Sequence, residues 1–237
     1  MTLDILKLIY KNRSGELTMC NEDYIQFIQN EDITEDMMEK MASDYENSIR
    51  FDICCRETHF VNYTISTDSD RLKSMPGRMA KMLLFLLTFL PNTESRKSKR
   101  NNLFAYNEPL SSNYVFLRLV GLAGMAERDC LICDEIDKDI IKYYKGKICT
   151  NCQKIIMTLD KDKDLKSKET ETEAFFRHLR NIVAHGCYEI VDEFIIGFDY
   201  NKNKSKCTAV VKIKPYNIIK SITNDFYFEN IKDTLNI

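Results

Sequence analysis

No stretch of this sequence is long and apolar enough to cross a bilayer. The best candidate, residues 79–90, holds an apolar run of about nine residues after Lys81 and stops at Pro91. A spanning helix needs roughly 20, so the run reads as a buried core helix. Neither sign of charge is in excess: 34 Lys and Arg stand against 36 Asp and Glu, with a formal charge of −2 and a pI near 6.0. That balance argues against a general nucleic-acid coat protein and leaves any RNA contact to local basic patches. No secretory signal is read, the cysteines number nine, and five of them (Cys20, Cys54, Cys55, Cys187, Cys207) show no framework spacing. A disulfide scaffold is disfavoured, and a cytoplasmic location is expected. No internal repeat is apparent.

What is present suits a folded core. At 237 residues with 44% hydrophobic content, the chain is expected to form one elaborated domain (1–237) with a small insert at residues 127–155 and a charged linker at 160–169. Helix-like apolar spacing occupies residues 2–11 and 34–49, while residues 60–65 look more like a strand. Pro76 suits the first turn of the core helix that ends before Pro91, and residues 112–127 read as a further helix. Residues 188–191, 194–199 and 207–213 are rich in β-branched and aromatic side chains, with a turn at 201–204, and Pro215 opens a final helix. A basic segment at residues 96–100 reads as an exposed loop; the run at 160–168 alternates in sign and reads as a solvated linker.

Two motifs carry chemistry. Cys130, Cys133, Cys149 and Cys152 form C-x2-C-x15-C-x2-C, a spacing suited to a closed tetrahedral zinc site that is structural, since four thiolates leave no open position for water. The second motif is residues 176–186, which gather two of the three histidines and two arginines. At about 100° per residue, Phe175, Phe176, Leu179, Ile182 and Val183 share one arc of a helix. Arg177, His178, Arg180, Asn181, Ala184 and His185 share the other. Thr170 and Glu173 have the spacing of a capping box, and Gly186 can close the helix in the left-handed conformation. An imidazole on such a face can take and give protons near neutral pH, and a guanidinium can grip phosphate oxygens and stabilise charge that builds on them.

Arg180-Asn181-Ile182-Val183-Ala184-His185 resembles the R-(polar)-x3-H form of the R-x4-6-H signature of the HEPN superfamily, and Gly186 fits many members. The likeness covers this helix directly and the strands and helix after it more loosely. It implies a mainly α-helical bundle that dimerises across the signature helix, with a small antiparallel sheet behind it. Two motifs would then form one composite, metal-independent endoribonuclease site of the kind found in toxin–antitoxin and anti-phage systems, with an antitoxin or trigger as a further partner. The ending His185-Gly186-Cys187-Tyr188 departs from the His-x-Tyr of many toxin members. Under this resemblance His185 moves protons, Arg180 stabilises transition-state charge and Asn181 orients, with Arg177 and His178 as RNA contacts. The alternative is a non-catalytic, zinc-stabilised RNA-binding or regulatory dimer.

Overall fold

The computed structural model describes residues 50–52, 59–90, 113–126, 129–160 and 169–225, together with Glu39 and Ser43. The expected helix at 2–11, nearly all of that at 34–49, the basic segment 96–100, linker residues 161–168 and everything past Asp225 lie outside them. The chain divides into two compact units, Met1–Val61 with Cys149–Cys152, and Asn62–Ile148 with Gln153–Ile237. In the first, the backbone N–H of Cys149 donates to the buried Asp52 carboxylate at 3.1 Å, and that of Thr150 to the His59 carbonyl at 2.7 Å.

The second unit is built on a sheet. Its elements, with two short strands that run across the unit boundaries, are β1 (Phe60–Asn62), α1 (Asp68–Ser74), α2 (Gly77–Phe89), α3 (Asn113–Leu122), β2 (Cys130–Ile132), α4 (Lys138–Tyr144) and β3 (Lys147–Cys149). There follow β4 (Lys154–Met157), α5 (Glu171–Ala184), β5 (Tyr188–Val191), β6 (Phe194–Tyr200), β7 (Cys207–Ile213) and α6 (Pro215–Asp225). Five strands form one sheet in the order β2-β4-β7-β6-β5, with β2 parallel to β4 and the other neighbours antiparallel.

This corrects the expected fold class. The molecule is α/β, not a mainly α-helical bundle with a small antiparallel sheet behind the signature helix. The three strands after α5 exist as expected, but two segments from before it, β4 and β2, extend their sheet across the chain. Those segments have only four and three residues, too few for a period to register. All four β4 positions are buried, so a strand covered on both faces shows no alternation.

One face of the sheet meets α2, α3, α5 and α6 in a continuous apolar cluster that includes Phe85, Leu86, Phe116, Leu119, Phe175, Leu179, Ile182, Ile195 and Val211. Toward the other lie Ile140 and Tyr144 of α4. The apolar back of α5 behaves as its spacing predicts: Phe175, Phe176, Leu179 and Ile182 are all fully buried, each contributing about 1.5–3 kcal/mol of transfer free energy. Phe175 also meets Phe116 of α3 at 5.5 Å between ring centroids.

The depth to which α5 sinks is set by one residue of β6. A Cβ placed on Gly197 would lie 2.3 Å from Cγ2 of Ile182, closer than any real contact. Gly197→Ala should therefore lower the unfolding free energy by about 1–3 kcal/mol. Ile182→Ala should cost less in that background than in wild type, because the colliding atoms are gone. Urea denaturation of the two singles and the double checks this, and strictly additive costs would refute the close approach.

Candidate functional site

The signature helix α5 starts where its sequence says. The Thr170 hydroxyl accepts from the Glu173 N–H at 3.2 Å, and the Glu173 carboxylate accepts from the Thr170 N–H at 3.2 Å, which closes the capping box. At the other end His185 is the C-cap residue and Gly186 follows at φ 64°, the left-handed conformation that glycine adopts without strain. Arg71 of α1 holds this end. Its guanidinium donates to the Gly186 carbonyl at 2.5 Å and to the Glu189 carboxylate at 3.2 Å, and lies over the Tyr188 ring. A cation there also offsets the partial negative charge of the helix terminus.

The polar face of α5 divides into two pairs with different fates. His178, placed on the open arc by the helical wheel, is fully buried. Its Nδ1 stands 2.8 Å from Asp199 Oδ2 and its Nε2 2.9 Å from the Thr158 carbonyl. The Arg177 guanidinium lies against the same two nitrogens, Nη1 3.4 Å from Nδ1 and Nη2 3.2 Å from Nε2. Arg177 donates from Nε and Nη2 to the two oxygens of Glu169, both at 2.7 Å. Glu169 is wholly buried and also accepts from the Asp160 N–H. Burial alone would lower the Arg177 pKa, but the hydrogen bonds and charge of Glu169 outweigh it, and the net direction is upward. These two side chains brace the helix against the strand edge and the segment before it.

Arg180 and His185 are different. Arg180 is half-buried and His185 exposed, and neither side chain makes a hydrogen bond or ion pair among the described residues. Asn181 lies one helical turn before His185 and donates from Nδ2 to Asp199 Oδ2 at 3.3 Å. A recess of about 640 Å³ opens at this point, lined by Asn181, His185, Cys187, Asp199, Tyr200 and the β6–β7 turn residues Asn201, Lys202 and Lys204. Arg180 is not part of its wall.

The expected metal ligands are placed as follows. Cys130 begins β2, and the Cys133 thiol donates to the Met157 carbonyl at 3.8 Å in the second unit. Cys149 ends β3, and Cys149 and Cys152 belong to the first unit. Cys149 Sγ accepts the Asn151 N–H at 3.4 Å. None of the four is in a disulfide. Among the described residues no group of three or more His, Cys, Asp or Glu side chains is arranged to hold a metal ion. Cys207 is a core thiol: burial pushes its pKa up to about 12.

No family model, curated protein or solved structure matches this chain. The site is accordingly read from its own geometry. Sequence reasoning missed Asp199, which ties His178 to Asn181, and it read residues 201–204 only as a turn. The two lysines of that turn were the available signal, but nothing local brings position 204 to position 185. Arg71 was missed for the same reason.

Two arginines three residues apart thus offer a direct comparison. Arg177→Ala should cost about 3 kcal/mol or more, because it leaves the buried Glu169 carboxylate without its partner. Arg180→Ala should change stability by less than about 0.5 kcal/mol. Equal losses in urea denaturation would contradict this division of the helix face.

Proposed function

We propose that this chain is a metal-independent endoribonuclease of the HEPN type, acting in a toxin–antitoxin or anti-phage setting, and that two copies meet along α5 to complete the site. The observation that carries this reading is the split on α5: Arg177 and His178 are consumed by the fold, while Arg180 and His185 are held by it and used by nothing within it. A histidine and an arginine kept unpartnered on a rigid, capped helix beside a recess have the chemistry that phosphoryl transfer to a 2′-oxygen needs.

In the proposed reaction one His185 imidazole removes the ribose 2′-OH proton. The 2′-oxygen bonds to the adjacent phosphorus, the bond from phosphorus to the 5′-oxygen breaks, and the imidazole of the second copy gives that oxygen a proton. The products are a 2′,3′-cyclic phosphate and a 5′-hydroxyl. Arg180 offsets the charge gathered on the phosphorane-like oxygens. Asn181, anchored to the buried Asp199, is the group positioned to orient His185 or the phosphate, and Ala184, exposed between them, lets the second helix approach. Zinc in this reading is structural and takes no part in the reaction. It is supported by the C-x2-C-x15-C-x2-C spacing of Cys130, Cys133, Cys149 and Cys152.

Purified protein should cut single-stranded RNA in EDTA and leave DNA, which lacks the 2′-hydroxyl, intact. His185→Ala should abolish cutting without loss of fold, and Arg180→Ala should lower it by roughly 10²-fold or more. Activity that persists in His185→Ala, or that requires added divalent metal, would overturn the mechanism.

The metal is tested separately. Protein prepared without chelator should carry about one zinc per chain, and Cys133→Ser should lose it and unfold more easily. Elemental analysis that finds no zinc in reduced protein would remove zinc from the account.

A further inference from the structure

The recess beside His185 contains cations that the reaction scheme above does not use. Lys202 and Lys204 are exposed on its rim, and neither ammonium makes an ion pair among the described residues. Their neighbours differ: Lys206 reaches Glu135 at 3.4 Å and Lys214 reaches Glu193 at 3.1 Å. Among the described residues of the lining the one carboxylate, Asp199, is buried and committed to His178, Asn181 and the Tyr200 N–H. Those residues leave the mouth of the recess cationic.

The turn that carries the lysines is preformed. Asn201 Oδ1 accepts from the N–H groups of Ser205 and Lys206 at 2.9 and 3.2 Å, and the Asn201 carbonyl accepts from the Lys204 N–H at 2.8 Å. Lys204 is held at φ 53°, a conformation that costs a non-glycine residue about 1–2 kcal/mol. The volume of about 640 Å³ lies within the range that encloses a ligand of nucleotide size.

We propose that Lys202 and Lys204 form a single-stranded RNA subsite next to His185, in which the two ammonium groups hold successive phosphates. This deepens the ribonuclease reading and rests on it for the choice of RNA. It also assigns the cations that grip substrate beside His185 within one chain to the β6–β7 turn, leaving Arg180, which lies off that wall, to the reacting phosphate where two helices meet.

The test is anisotropy of a fluorescein-labelled single-stranded RNA of mixed sequence, titrated with full-length His185→Ala protein over a range of KCl. Adding Lys202→Ala and Lys204→Ala together should make the plot of log affinity against log salt shallower by about 1.4, from two contacts at ~0.7 each, and should weaken binding roughly 25-fold near 0.1 M salt. Lys206→Ala, which removes a paired lysine, should shift affinity by less than about twofold. An unchanged slope in the double-lysine variant, no binding by His185→Ala protein, or tighter binding of duplex RNA would overturn the subsite. Failure here is separable from failure of the ribonuclease reading. Wild-type cutting in EDTA that is indifferent to the lysines sinks the subsite alone, and lysine-dependent binding without cutting sinks the enzyme alone.

Discussion

The approach of α5 to β6 is the constraint on which the rest of this site depends. Gly197 lets Ile182 sink to the sheet, and two residues further along the strand, on the same face by the two-residue period of a strand, Asp199 receives His178 and Asn181. A glycine sets the height of the helix and a carboxylate sets its rotation about its own axis. Once both are fixed, the four cationic or imidazole side chains between positions 177 and 185 have no freedom in which of them face inward. Arg177 and His178 are taken by Glu169, Asp199 and Thr158, and Arg180 and His185 are left over.

That division explains why a polar helix face was only half legible. The periodic apolar residues, the capping box at Thr170 and the left-handed Gly186 are local signals, carried by residues within four positions of one another, and each matches the structure. The strands after the helix were readable for the same reason. The burial of His178 was not, because its partners are the carboxylate at position 199 and the carbonyl at position 158, some twenty residues away on either side. A helical wheel sorts side chains by polarity alone. It has no means to tell a histidine that faces water from one that satisfies a buried acid.

The fold class failed by the same logic on a larger scale. A bundle was expected because the long periodic segments are helical, while β2 and β4 are too short for alternation to be visible and β4 is buried at every position. The pairing of β4 with β7 joins segments on opposite sides of α5 in the sequence, and β2 enters the sheet through β4. The consequence reaches the site: the sheet is the platform that carries α5, and the β6–β7 turn brings Lys202 and Lys204 to a recess that no sequence motif marks.

The count of available imidazoles bears on how the proposed reaction is assembled. Transesterification through a 2′-oxygen needs one group to take a proton and another to give one, and without a metal both must be side chains. His178 acts in neither role, since it is buried and both ring nitrogens are engaged within the core by Asp199, the Thr158 carbonyl and the Arg177 guanidinium. Among the described residues that line the recess the one imidazole is His185. Its exposure at the end of the helix, next to the exposed Ala184, is a disadvantage for a self-contained site, because solvent competes for every proton. The same exposure is what the proposed shared site requires: two copies of the helix meeting there would supply the second imidazole and exclude that solvent in one step, so that the reaction and the assembly would be the same event.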